Sequence, residues 1–160
     1  MNYMKNPLKL VISIAIPNAV GVLPGLVTAS EVGDWYLTLA KPSWTPPGWV
    51  FGPVWTILYT MMGVAAYLVW SDSAQKSDVR KGLIWFDIQL ALNFLWSLVF
   101  FGLKSPVFAF IVIVALWVAI VVTMGIFWEL KKKLAVLLMV PYILWVTFAA
   151  GLNAQIWFMN

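Results

Sequence analysis

The residues of this sequence best suited to contacting a ligand are aromatic side chains concentrated between residues 35 and 55. Within these 21 residues the chain places four tryptophans and four prolines: Trp35, Trp44, Trp49 and Trp55, with Pro42, Pro46, Pro47 and Pro53. Each proline fixes φ and removes a backbone donor, so the segment cannot form one long helix but can be stiff. A stiff segment with exposed rings favours a lid over a ligand. The alternative is a loop that merely lies at a membrane interface.

Aromatic and amide side chains also recur at helical spacing in three apolar segments. Residues on one helical face follow each other at intervals of three or four. The three faces are Gln89, Asn93, Trp96 and Phe100; then Trp145, Phe148, Ala149, Leu152 and Ile156; and finally Trp55, Tyr59 and Met62. Two amides and several large rings converging inside a bundle predict a site for a flat, mostly apolar ligand with a few polar handles. The alternative is ordinary aromatic packing, with an amide pair holding helices together.

Several kinds of chemistry are excluded because the chain has no cysteine and no histidine. Disulfides, Cys/His zinc sites, His-ligated haem and Ser-His-Asp catalysis all need those residues, so no metal ligands are predicted. No pair resembling a general acid and base accompanies the aromatic faces. Asp87 is the one acid well inside an apolar segment, which makes it a functional candidate by default. It lies opposite the amide face, and we expect an interfacial role or an ion pair with Lys81.

The elements that must position these residues are membrane helices. Of the 160 residues, 63% are hydrophobic and 10% charged, whereas soluble domains carry about 25% charged residues. A bilayer core about 30 Å thick requires roughly 20 helical residues. Five segments qualify, which predicts an all-α integral membrane protein, a single domain over residues 1–160, with spans at about 8–29, 51–70, 82–103, 107–128 and 134–158. The 30–50 connection is the long loop, and residues 71–81 are expected to form a solvated turn.

The distribution of basic residues predicts the orientation of the spans. One side holds eight basic residues (Lys5, Lys9, Lys76, Arg80, Lys81, Lys131, Lys132 and Lys133), and the other holds two (Lys41 and Lys104). The positive-inside rule therefore puts the amino terminus in the cytoplasm and the 30–50 loop and carboxyl terminus outside. The basic run at 131–133 indicates a topology anchor, with binding of anionic membrane lipid as the alternative. Nothing in the pattern favours nucleic-acid binding.

The first span carries small residues at intervals of four: Gly21, Gly25 and Ala29. The G-x-x-x-G pattern allows two helices to approach closely. It is compatible with a homodimer seam and equally with packing inside the bundle.

Three blocks resemble the translocator protein family, also known as tryptophan-rich sensory proteins or peripheral benzodiazepine receptors (TspO/MBR). They are W-Y-L-T-L-A-K-P-S-W-T-P-P-G-W-V-F-G-P-V-W-T at 35–56, Q-L-A-L-N-F-L-W-S-L-V-F-F-G at 89–102 and P-Y-I-L-W-V-T-F-A-A-G-L-N at 141–153. The resemblance implies a five-helix bundle, often dimeric, with the first loop folded over a pocket. It further implies porphyrins and isoquinoline-carboxamide or benzodiazepine-type compounds as ligands. The Leu/Val, Tyr, Lys/Arg pattern of sterol-binding members is missing after Leu152, so sterol recognition is not expected.

By position, the pocket residues of that family fall on Trp44, Trp49, Trp55, Asn93, Trp96, Trp145, Ala149 and Leu152. The helical faces add Tyr59, Phe100 and Phe148 to the expected ligand-binding set. We expect a protoporphyrin-type macrocycle to stack against Trp55 and Trp145, with Asn93 bonding a polar edge. Trp44 and Trp49 would close the loop over the ligand, and Lys41 is the nearest candidate partner for a propionate.

The expected function is that of a tetrapyrrole-binding sensor, scavenger or carrier in a bacterial-type plasma membrane, as a homodimer that needs no cofactor. Without histidine or cysteine, free-base porphyrin is expected to bind better than metal-ligated haem. One alternative is light-dependent degradation of the porphyrin, with Trp55 and Trp145 as the oxidisable residues. Another is a structural or partner-binding membrane protein without a ligand.

Overall fold

The protein is all-helical over the residues that this computed structural model describes, which are 6–28, 34–71 and 76–160. The elements are α1 (Pro7–Val27), α2 (Trp35–Thr38), α3 (Gly48–Trp70), α4 (Lys76–Ser97, continued by a π-helical turn at Leu98–Gly102), α5 (Pro106–Glu129) and α6 (Lys133–Met159). All of these except the short α2 are long and apolar enough to cross a membrane. The expected all-α bundle of five spans is confirmed.

Two helix starts follow directly from the local sequence. The Asn6 side chain accepts a hydrogen bond from the backbone N–H of Lys9, and Pro7 occupies the first helical position. Ser105 caps α5 in the same manner, followed by Pro106. A capping oxygen satisfies a free N–H of the first turn, and proline has no N–H to leave unpaired there. Short polar connections therefore end one span and begin the next within a few residues.

One predicted boundary is wrong. The third span was expected to begin at residue 82 after a solvated turn, but α4 begins at Lys76, so residues 76–81 are helical. Hydropathy detects only the part of a helix that lies in hydrocarbon, and here a polar first turn that includes Asp78 extends it. Predictions that concern Lys5, Ala29 and residues 30–33 and 72–75 fall outside the described residues.

The five long helices pack as a closed ring. Around the ring, α1 contacts α3, α3 contacts α6, α6 contacts α5, α5 contacts α4, and α4 returns to α1. The helices α1 and α3 approach closely at Gly63, where an added Cβ would overlap the backbone of Ser13 and Ile14. Gly21 also serves packing inside the bundle, because a Cβ there would overlap the Tyr59 ring. Gly25, by contrast, has open space beside it.

The two ends of the bundle differ in what covers them. At one end, called the loop end below, α2 and the segment 39–47 lie near the end of α6, and Ala40 in that segment bonds Asn160, the residue that follows α6. The opposite end, called the lysine-rich end, carries the start of α1 and Lys131 to Lys133. The rings and amides singled out by the sequence lie between these two ends.

Candidate functional site

A cavity of about 400 Å³ opens inside the bundle at the loop end. It is enclosed by α1, α3, α4 and α6 and covered by the segment that follows α2, while α5 contributes no wall. Its lining consists of Gly21, Gly25, Thr28, Tyr36, Leu37, Lys41, Thr45, Pro46, Gly48, Phe51, Trp55, Trp96, Ser97, Phe100, Phe101, Trp145, Ala149, Leu152, Asn153 and Ile156. The volume and the mostly apolar lining are typical of small-molecule sites.

Tryptophan rings from two helices form one corner of this cavity. The ring centroids of Trp55 on α3 and Trp145 on α6 are 6.4 Å apart, and their planes are 89° to each other. Phe51, one turn before Trp55, contacts Trp145 edge-on at 5.9 Å. Edge-to-face contacts hold large rings in fixed orientations. This corner is therefore a preformed aromatic surface.

The described residues 34–47, called the lid below, rest on the π-helical turn of α4 through Trp35 and Tyr36. The ring of Tyr36 contacts both Phe100 and Phe101, with centroids 6.2 and 5.7 Å away, and Trp35 packs on Phe100 at 5.8 Å. Neighbouring residues of an α-helix point about 100° apart, and the wider turn here brings both phenylalanines to one side. Such π-turns often occur at functional sites.

Two sets of polar contacts fix the lid. The ammonium of Lys41 donates to the backbone oxygens of Tyr36 and Leu39, at 2.7 and 3.1 Å, and lies 4.7 Å from the centre of the Tyr36 ring. Farther along, the Asn160 amide accepts from the Ala40 N–H and donates to the Ala40 carbonyl, both at 3.0 Å. The lid is thus tied both to itself and to the end of α6.

Two donors at the cavity wall are left open. The indole N–H of Trp145 is buried and has no acceptor among the described residues. No carboxylate lies within ion-pair distance of Lys41 in the described part of the chain, although carbonyl oxygens accept two of its hydrogen bonds. Burial raises the pKa of Tyr36, which keeps its phenol protonated at neutral pH. The wall therefore presents one positive charge to an incoming molecule, with one unpaired N–H donor buried behind its surface.

Beneath the cavity runs a chain of hydrogen bonds, called the tyrosine–amide chain below. Tyr59 donates to the Asn93 carbonyl oxygen at 2.6 Å, and the Asn93 amide donates to the hydroxyl of Tyr142 at 3.1 Å. Tyr142 in turn donates to the Gln89 carbonyl oxygen at 2.8 Å, and the chain ends at the Gln89 amide nitrogen, which has no acceptor in the described residues. Buried polar groups are costly unless paired, so this chain joins α3, α4 and α6.

Of the eleven residues expected to bind a ligand, the structure brings six to the cavity wall: Trp55, Trp96, Phe100, Trp145, Ala149 and Leu152. The other five lie elsewhere. Asn93 is only 1% exposed, and it and Tyr59 belong to the tyrosine–amide chain. Phe148 packs behind Trp145 and against Trp44, with centroids 5.2 and 5.4 Å away.

The lid is not closed by the tryptophans expected to do so. Trp49 is 77% exposed at the start of α3, and Trp44 is 46% exposed. Tyr36, Leu37, Lys41, Thr45 and Pro46 line the cavity in their place. Proline-rich segments turn at each proline, so tryptophan spacing alone does not fix which side chain faces inward.

Sequence reasoning also missed wall residues that a simple extension would have found. Asn153 is eight residues after Trp145 and four after Ala149, so it shares their helical face. In the structure it accepts from the Trp96 indole N–H at 3.0 Å and donates to the Pro106 carbonyl at 2.7 Å. Gly25, considered only as a packing residue, leaves room at the wall because it has no side chain.

Asp87 takes no part in the cavity. It is exposed on the outer side of α4, and the expected ion pair with Lys81 is not formed among the described residues. Six residues along a helix correspond to a rotation of about 240°, so the two side chains point in different directions. The described residues contain no group of three or more metal-ligating acidic side chains.

Comparison with known proteins gives a consistent result. The sequence profile of the TspO/MBR family matches residues 13–158. The tryptophan-rich protein TspO of Chlorobaculum tepidum is 45% identical over 156 residues, which is 98% of each chain. The tryptophan-rich sensory protein of Cereibacter sphaeroides is 41% identical, covering 79% of this chain and 77% of its own. The human translocator protein is 40% identical, covering 77% and 73% respectively.

Proposed function

Because this chain belongs to the TspO/MBR family, we propose that it is a membrane protein that binds a tetrapyrrole in the loop-end cavity. Its role is that of a sensor, scavenger or carrier of the macrocycle. The observation that carries the proposal is the combination of the Trp55–Trp145 corner with the two open donors, Lys41 and the Trp145 N–H. A porphyrin has a flat apolar ring, which can stack on the tryptophan corner. It also has carboxylate side chains, which can pair with Lys41.

The polar ends of the ligand account for Lys41. An ammonium that backbone carbonyls hold, and that has no carboxylate partner in the described part of the chain, is a natural site for a propionate. The Trp145 N–H suits an acceptor atom nearer the ring. Asn93, which the sequence suggested for this role, already has both ends of its amide bonded to tyrosines.

The cavity favours a free-base porphyrin over tightly ligated haem. Among the described residues, its wall contains no histidine, cysteine or methionine and a single tyrosine, Tyr36. The raised pKa of Tyr36 disfavours the phenolate that would ligate iron. Axial coordination therefore adds little to binding.

The test is quenching of tryptophan fluorescence by protoporphyrin in detergent, in the dark, repeated with protoporphyrin dimethyl ester. Wild type should bind the diacid saturably and the ester about tenfold more weakly, because an ion pair is lost. Lys41→Gln should bind both equally, and Lys104→Gln, a lysine expected on the same membrane side, should behave as wild type. Linear quenching that ignores these substitutions would mean partitioning into the micelle, as the structural alternative requires.

One observation favours the second function, light-dependent degradation. Trp55 lies at the wall and stacks on Tyr59, with ring centroids 5.3 Å apart. Tyr59 could therefore donate an electron to an oxidised Trp55 ring. Illumination in air of the porphyrin complex tests it by loss of porphyrin absorbance. Loss that stops in the dark and in Trp55→Phe, with binding retained, supports degradation. Equal loss in Trp55→Phe would show that the degradation does not depend on Trp55.

We also propose that the lysine-rich end faces the cytoplasm of a bacterial-type cell and that the protein is a homodimer surrounded by anionic lipid. The asymmetry of the basic residues supports the orientation and the anionic lipid, and the homodimer is what the resemblance to the family implies. Since the chain has no cysteine, single cysteines at Ser105 and Glu129 can be labelled with a membrane-impermeant maleimide in intact cells. Labelling at position 105 alone agrees with this orientation. Labelling at position 129 alone would indicate the opposite orientation. Light scattering in detergent gives the oligomeric mass.

A further inference from the structure

A second recess lies on the outside of the bundle, between α1 and α4, and is separate from the loop-end cavity. It has a volume of about 350 Å³ and is lined by Ile16, Val20, Asp87, Leu90, Ala91 and Phe94. None of these residues lines the loop-end cavity. Five of them are apolar, and Asp87 is the one charged member.

Asp87 lies inside the apolar part of α4. It is five residues after residue 82, where the apolar part begins, and at 1.5 Å per residue this places it about 7.5 Å along the axis from that point. On the facing helix, Ile16 is nine residues from the start of α1. Carboxyl groups at such a depth are costly and normally face a partner, a pore or a ligand.

No partner for Asp87 exists within the described residues. The basic residue on α1, Lys9, lies 4.9 Å from the ring of Trp70. Lys81, on α4 itself, points to a different side of the helix. The recess is thus an apolar depression with one uncompensated acidic group, and the complementary occupant is apolar with one basic group.

The size and charge of the recess decide between kinds of occupant. Its residues span about two helical turns, roughly 11 Å, which suits a small molecule better than a transmembrane helix. In a second copy related by a twofold axis through the recess, the same acid would face itself, and like charges repel. A neutral lipid chain would fill the recess without supplying a charge to pair with Asp87.

We propose that this recess binds a lipophilic amine from within the bilayer. The ammonium pairs with the Asp87 carboxylate, and the hydrocarbon part lies against Ile16, Val20 and Leu90. Phe94, two helical turns from Asp87, lies at the far end of the hydrocarbon part. The site is independent of the loop-end cavity and of what that cavity binds.

The test uses the full chain in phosphatidylcholine nanodiscs with a spin-labelled long-chain amine. Wild type should give a saturable, motionally restricted population near one amine per chain. Asp87→Asn should weaken binding by about tenfold or more, because a charged contact becomes a neutral one. The matched control is Asp78→Asn, which removes an exposed carboxylate in the first turn of the same helix and should change nothing.

Two further measurements test whether the charge of Asp87 is responsible for amine binding. A spin-labelled alcohol of equal chain length should show no restricted population beyond ordinary boundary lipid. Equal restriction of amine and alcohol, or equal amine binding in wild type and Asp87→Asn, would overturn the proposal. So would a fall in oligomeric mass in Asp87→Asn without amine binding to wild type, because a second copy would then occupy the recess. Porphyrin binding measured on the same samples reports folding and tests the loop-end cavity separately.

Discussion

The loop-end cavity and the tyrosine–amide chain are built from the same kinds of residue, yet they differ in which polar groups remain open. In the chain, Tyr59, Asn93 and Tyr142 bond one another and are buried. In the cavity wall, the Trp145 N–H is buried without an acceptor among the described residues, and Lys41 lines a space that protein atoms do not fill. Tyr142 and Trp145 are less than one helical turn apart on α6. Binding capacity therefore depends on unsatisfied donors beside empty space rather than on the content of aromatic residues.

This difference leads us to expect that substitutions below the cavity change stability and that substitutions at its wall change ligand affinity. The two effects should separate cleanly, because the regions share few side chains. Trp55 is the exception, since it lies at the wall and stacks on Tyr59. Variants at Trp55 are therefore less informative than those on either side of it.

The largest effect is expected for Gly63→Ala. An added Cβ would overlap the backbone of Ser13 and Ile14, and backbone atoms cannot rotate away, so α1 and α3 must separate. We expect a loss of about 3 kcal/mol in the free energy of unfolding. Thermal unfolding in detergent measures it, and Gly125→Ala, at a site with open space, is the control. Unchanged stability of Gly63→Ala would show that this helix contact is looser than the structure indicates.

Next in size is Tyr142→Phe, which keeps the ring and removes the hydroxyl at the middle of the tyrosine–amide chain. The Asn93 amide and the Gln89 carbonyl each lose a partner. We expect destabilisation of about 1–2 kcal/mol, with porphyrin affinity unchanged. Tyr59→Phe removes one bond and should cost less. Should Tyr142→Phe weaken porphyrin binding as much as it weakens the fold, the two regions are not separable.

At the cavity wall, Trp145→Phe should have the opposite effect to Tyr142→Phe, with a larger change in porphyrin affinity than in stability. The indole N–H bonds nothing among the described residues, so its loss removes no internal hydrogen bond. We expect porphyrin to bind about tenfold more weakly, with less change in stability than in Tyr142→Phe. Fluorescence titration and thermal unfolding on the same sample separate the two quantities. Trp128→Phe, at the lysine-rich end, is the control, and an equal effect there would remove the special role of Trp145.

The sequence was sufficient for much of the architecture. Long apolar runs force helices in lipid, so five spans could be predicted, and helical spacing grouped Trp145, Ala149 and Leu152 on one face. Helical spacing does not show, however, which residues of a face reach the cavity. Asn93 shares a face with Trp96 but is buried below the cavity. The π-helical turn that turns Phe100 and Phe101 toward Tyr36 depends on packing between distant segments. Ligand contact at all these positions stays a prediction.

The smallest expected effect concerns the lid. Asn160 holds Ala40 by two hydrogen bonds at an exposed position, where each contributes little net free energy because water competes. Asn160→Ala should leave the fold intact and speed porphyrin release by about threefold, since the lid opens more often. Stopped-flow dissociation measures this, with Gln155→Ala as the control at an exposed position on the same helix. If the release rate is unchanged while Trp145→Phe still weakens binding, the cavity binds porphyrin but the ligand leaves by a route that the lid does not cover.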